Sequence, residues 1–149
     1  MIAVGIDTGT NTGLALWDCD SRKFLSIESC GILDAIDVLR QLVAVNGKEQ
    51  VLVRFEDARQ RKWIPREHDM SQRVGRAIGA GHVQRDAAIW EEFCKKEEIQ
   101  YEAVAPKHNA TKMSAGTFKG LTKWEERTNE HERDAAMLVF GLKGRRAAQ

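Results

Sequence analysis

The hydrophobic pattern changes character along the chain. Residues 2–6 (IAVGI) form a short apolar run that predicts a strand, and DTGTNTG after it has the Gly/Thr/Asn content of a turn. LALWD at 14–18 and FLSIES at 24–29 predict two further strands. Neighbouring strands joined by turns imply an antiparallel meander. From residue 34 the period lengthens: DAIDVLRQLVAV at 34–45 is apolar at 35, 36, 38, 39, 42 and 43, which is helical spacing, and Asn46-Gly47 supplies a stop.

VLVRFED at 51–57 returns to strand period, with Val51, Val53 and Phe55 on one face and Leu52, Arg54 and Glu56 on the other. A basic segment with Trp63 and Pro65 follows, then a long helix over 71–98. Gly75, Gly79 and Gly81 weaken the start of that helix and point to a kink or a close packing contact. YEAVAP at 101–106 reads as the last strand, ended by Pro106; 107–128 reads as irregular and polar; a final helix spans about 130–143. The order predicts an α/β fold: a mixed five-stranded sheet, three strands antiparallel and the rest parallel, flanked by helices. No repeat, low-complexity tract or linker divides the sequence, so residues 1–149 are expected to form a single domain.

Composition removes several classes. No apolar run is long enough to span a membrane, and MIAVGIDTG lacks the features of a signal peptide, so a cytoplasmic protein is expected, in a bacterial or phage-infected cell. Cys19, Cys30 and Cys94 are odd in number and widely spaced, which suggests neither a disulfide framework nor a zinc site. Net charge is only +1, but it is unevenly distributed. Arg59, Arg61, Lys62, Arg66, Arg73, Arg76 and Arg85 face only Glu67 and Asp69 over 59–85, and the stretch from Lys107 through Lys112 and Lys119 to Lys123 holds no acid. Such patches suit phosphate binding, although solvated faces of an ordinary protein look the same.

Three acids stand out by position. Asp7 closes the first strand, Glu56 closes a central strand, and Asp134 borders the apolar stripe Ala135, Leu138, Val139, Leu142 of the last helix. Asp7 could simply start a turn and Asp134 could be an exposed helix residue. Read together, carboxylates entering a core are costly unless paired or metal-bound. Hard cations such as Mg²⁺ take oxygen ligands, and two of them can drive phosphodiester hydrolysis. Of the adjacent Glu56 and Asp57, Glu56 is the one expected to face the site. His131 lies three residues before Asp134, on the same helical face, as a candidate metal ligand or proton carrier. Asn129 with Glu132 reads as a capping box, which makes Glu132 structural.

GIDTGTNTGLAL at 5–16, VRFEDA at 53–58, RVGRAIGAGHVQ at 73–84, YEAVAP at 101–106 and TNEHERDAA at 128–136 together resemble the RuvC-like crossover junction endodeoxyribonucleases, in a compact form of the kind phages and prophages carry. The resemblance implies an RNase H-like fold, a homodimer, and Mg²⁺- or Mn²⁺-dependent nicking of opposed strands of a Holliday junction, by two ions per site. It implies a metal site of Asp7, Glu56, His131 and Asp134, in which His131 stands where many members carry an aspartate. Basic residues near the scissile phosphate fall at Lys107 or Lys112, with Lys112 preferred as the catalytic lysine. Arg59, Arg61, Lys62, Arg66, Arg73, Arg76, Lys107, Lys112 and Lys119 are the expected DNA contacts. Trp63 is either core or an aromatic that stacks on a base at the junction centre. Recombination, repair and phage genome debranching are all compatible roles.

Two alternatives stay open: a nuclease of the same fold acting on an RNA–DNA hybrid or a flap, and a DNA-binding module without catalysis. A two-lobed ATP-binding protein also opens on a D-x-G-T-like turn, but 149 residues leave no room for its second lobe, so no nucleotide cofactor is expected.

Overall fold

A computed structural model describes residues 1–61, 70–106 and 112–144. Five strands form one sheet: β1 (Ile2–Asp7), β2 (Thr12–Asp18), β3 (Lys23–Cys30), β4 (Val51–Glu56) and β5 (Gln100–Val104), in the order β3-β2-β1-β4-β5. β1, β2 and β3 pair antiparallel, whereas β4 runs parallel to β1 and β5 parallel to β4. This is the mixed five-stranded RNase H-like arrangement that the sequence predicts. Among the described residues four α-helices cover it: α1 (Ile32–Asn46), α2 (Met70–Lys96), α3 (Ala115–Thr122) and α4 (Glu130–Val139). None of the described helices is long and apolar enough to cross a membrane.

Strand alternation divides the core into two layers. Val4, Ile6, Leu14, Val51, Val53 and Phe55 face α1 and α2, where Leu39, Ala87, Trp90, Phe93 and Cys94 meet them. Ala3, Ala15 and Trp17 face the other way, onto Phe118 of α3 and Ala135, Ala136 and Val139 of α4. The polar-side residues of β4, Arg54 and Glu56, lie on this second face and are partly exposed.

Most element ends fall within two residues of the sequence pattern, and two departures are larger. The stretch predicted as irregular contains α3, capped by the Ser114 side chain, which accepts from the Thr117 backbone N–H, and anchored by fully buried Phe118. A short helix with two glycines and one dominant anchor leaves almost no periodicity to read. The last helix stops at Val139 instead of continuing to 143, because the chain turns at Gly141 with a positive φ of 82°. The turn leaves the Leu142 carbonyl free to accept from Trp17 Nε1 at 2.9 Å. At the glycines of α2, added Cβ atoms at 75, 79 and 81 would meet nothing within 4 Å, so no close contact within the described chain accounts for them.

Candidate active site

The parallel pairing of β1 and β4 aligns Ile6 with Phe55, so the next residues, Asp7 and Glu56, end neighbouring strands at the same edge. Asp7 sits opposite Gly13 in the antiparallel pair with β2. α4 lies across this edge. Its start is fixed by a full capping box: Asn129 accepts from Glu132 N, and Glu132 accepts from Asn129 N. The capping box sets the phase of the helix, and the phase carries His131 and Asp134 to the sheet edge.

There His131 Nδ1 lies 2.8 Å from Asp7 Oδ2. The Asp7 side chain is only 19% exposed. Burial pushes its carboxyl above the ordinary value, the His131 hydrogen bond pulls it down, and the charge of Asp134 pushes it up again. Glu56 is raised as well, first by burial, then by the charges of Asp7 and Asp134. Lys112 Nζ bridges Glu130 at 2.7 Å and Asp134 at 3.4 Å, and its charge eases the burden on Asp7 and Glu56. Its own ammonium is held charged above the ordinary lysine range, mainly by Glu130.

The three predicted carboxylates, His131 and Lys112 therefore form one electrostatically coupled group. By type, three carboxylates and one imidazole are donors that a hard divalent cation takes. Among the described residues, however, no three His, Cys, Asp or Glu side chains are placed so that they could hold a metal ion. Asp7 is turned to His131, and Asp134 toward Lys112.

Asp57 does not join this group. It is buried, caps the 3-10 turn Ala58–Gln60, and pairs with Arg59 through two oxygens at 2.7 and 3.0 Å. The same Nη2 that meets Asp57 also reaches Glu91 Oε2 of α2 at 2.8 Å, and Glu91 also takes Lys95 and the Tyr101 hydroxyl. Arg59, expected to contact DNA, is paired in the free protein with Asp57 and Glu91, which ties the segment after Glu56 to α2. Arg61 is exposed, and its charge acts on Glu56. Lys119 lies on α3, exposed and paired with Glu125 at 2.6 Å. Lys62, Trp63, Arg66 and Lys107, and the side chains of Arg73 and Arg76, lie outside the described residues.

Two contributors escape the sequence reading. Glu130 holds Lys112, and its first-turn place follows from the capping box. Arg54, which reads only as a polar-face residue of β4, donates from Nη1 to the Leu138 carbonyl at 2.6 Å. Its Nε lies 2.8 Å from Glu102 Oε2, in an ion pair without hydrogen-bond alignment.

No protein-family model and no curated protein sequence matches the chain.

Proposed function

We propose that the protein is a metal-dependent endonuclease that hydrolyses phosphodiester bonds in branched DNA, with four-way junctions as its substrate. The observation that carries this reading is the placement of Asp7 and Glu56 at the ends of two neighbouring parallel strands, with α4 bringing His131 to 2.8 Å from Asp7 and Asp134 into the same charged group; burial and their neighbours' charge raise both strand-end carboxyls above the ordinary value. Excess negative charge in a half-buried site is expensive, and a protein that keeps it has a use for a cation there.

On this reading Asp7, Glu56, Asp134 and His131 hold Mg²⁺ or Mn²⁺. When bound, two such ions supply Lewis acidity, which activates water and stabilises the departing 3′ oxygen. His131 fixes the Asp7 carboxylate at the C-terminal end of β1. Lys112 offsets negative charge at the scissile phosphate. Arg61, Lys112 and Lys119 bind phosphates without reading sequence, so affinity falls steeply with salt.

The reading includes a homodimer, since two opposed cuts call for two-fold symmetry. The surface that supports it is the first half of α2, where Val74 and Ile78 are exposed by 54% and 57% and three glycines face open space.

The test is a cleavage panel in Mg²⁺ and Mn²⁺ on a four-way junction, a flap, an RNA–DNA hybrid and plain duplex. Preferential paired nicking of the junction supports the proposal. Preference for the hybrid or flap replaces the substrate, and no cutting of any of the four replaces the enzyme with a binding module.

A further inference from the structure

α4 meets the sheet through its backbone at three levels. Next to the site, a Cβ on Gly13 would lie 2.2 Å from the His131 carbonyl oxygen and 2.6 Å from its carbon. One turn on, a Cβ on Gly5 would lie 2.0 Å from the Ala135 carbonyl oxygen. Near the far end, the Leu138 carbonyl accepts from Arg54 at 2.6 Å. Residues 131, 135 and 138 follow i, i+4, i+7 spacing and so share one face of the helix. Gly5, Gly13 and Arg54 lie on three adjacent strands, on the same face of the sheet.

Neither glycine has a positive φ, so neither is needed for its own backbone conformation. What each provides is the absence of a side chain. Non-bonded carbon contacts settle near 3.5 Å, so a methyl group at Gly13 lifts the first turn of α4 by on the order of 1 Å. The His131–Asp7 contact is 2.8 Å, and a lift of that size breaks it. Constellations of this kind tolerate errors of only about 0.5 Å.

We propose that Gly5, Gly13 and Arg54 are positioning residues: they set the height and axial place of α4 on the sheet, and thereby hold His131 and Asp134 over Asp7. The assignment rests on Asp7, His131 and Asp134 being the site; it does not depend on what the site cuts. Gly13 bears most directly, because it is the cross-strand partner of Asp7. The pair grips His131 twice, through its carbonyl over Gly13 and its imidazole on Asp7.

The test is long-range ¹H–¹⁵N correlation of the histidine rings in the whole, metal-free protein, with thermal unfolding measured in parallel. In the wild type the His131 ring should show one fixed tautomer, hydrogen-bonded through Nδ1. In Gly13→Ala that signature should be lost, and His131 should give the averaged signals of a free imidazole while His82 stays unchanged. Gly116→Ala on α3, where an added Cβ meets nothing within 4 Å, should leave His131 as in the wild type. A folded Gly13→Ala whose His131 signals stay at their wild-type positions overturns the proposal. If Gly13→Ala does not fold, Arg54→Gln decides: loss of the Leu138 contact should move the His131 signals in the same direction by a smaller amount, and unchanged signals overturn the proposal. No DNA enters this measurement, so failure of the nuclease reading on every substrate leaves its outcome intact.

Discussion

Replacing Asp7 with Asn should remove cleavage and raise stability at the same time. In the folded protein the Asp7 carboxyl sits above its ordinary value, through burial first and the Asp134 charge after it. Glu56 is raised in the same way, with Asp7 itself among the causes. A carboxyl raised on folding binds its proton more tightly in the native state than in the unfolded one. Above the folded value the native state therefore carries a cost, which shrinks as pH falls through that value and vanishes below the unfolded one. Without a divalent ion nothing offsets that cost, which is greatest well above the folded value. Asn keeps the shape and still offers Oδ1 to an N–H on His131, but it brings no charge, and so it relieves Glu56 as well. Set against the weakened His131 hydrogen bond, the net gain is about 1 kcal/mol, within the range typical of relieving a functional site. For a chain of this length that corresponds to ~2–4 °C in Tm. Thermal unfolding in chelator at pH 7 should show Asp7→Asn melting above the wild type, with the gap closing toward pH 4. Adding Mg²⁺ should raise the wild type and leave the variant where it was. An Asp7→Asn protein that melts at or below the wild type in chelator at pH 7 would refute the claim that these carboxylates strain one another.

Arg59→Met should destabilise the fold by about 1–2 kcal/mol, less than a fully buried pair because the guanidinium is partly solvated. Arg59 holds the Asp57 carboxyl below its ordinary value, so this contribution is present above the unfolded carboxyl range and is lost as pH falls through the folded value; denaturant titrations should show the wild type and variant converging in acid. Lys112→Met should tighten Mn²⁺ binding to the free protein, measured by calorimetry, because the lysine no longer competes for Asp134, while single-turnover cleavage slows by 10-fold or more, on the order of one lost charge-stabilising donor. Weaker Mn²⁺ binding in that variant would show that Lys112 supports the site and does not compete with the ion. Sedimentation should give a dimer in solution and on junction DNA, and Ile78→Glu on the exposed face of α2 should shift it to monomer; a monomeric wild type under both conditions contradicts the dimer.

The strands, α1 and the sheet's mixed character were legible because the strands and α1 each carry a clean period and a turn or glycine stop. Asp7, Glu56 and Asp134 were legible for a related reason: a charged residue at the end of an apolar run, or beside an apolar stripe, stands out against its surroundings. The clamp made by Arg59 was not. Its partners Asp57 and Glu91 are separated from it by two and thirty-two positions, and nothing local distinguishes an arginine bound for phosphate from one bound for a carboxylate. The seat of α4 was hidden more deeply. Gly5 sits in a run that reads as a strand and Gly13 in one that reads as a turn, yet what they supply is space for carbonyls more than a hundred residues away. Close approach of backbones leaves no trace in hydrophobic pattern. α3 was missed because one buried phenylalanine sets no period.

The most direct measurement is single-turnover cleavage of a labelled four-way junction by the wild type and by Asp7→Asn, with junction binding measured on the same preparations in Ca²⁺. The wild type should cut two opposed strands only when Mg²⁺ or Mn²⁺ is present, and Asp7→Asn should bind the junction within a few-fold of wild type and cut neither strand. Cutting by Asp7→Asn at the wild-type rate, or no cutting by the wild type with either ion, would contradict the account.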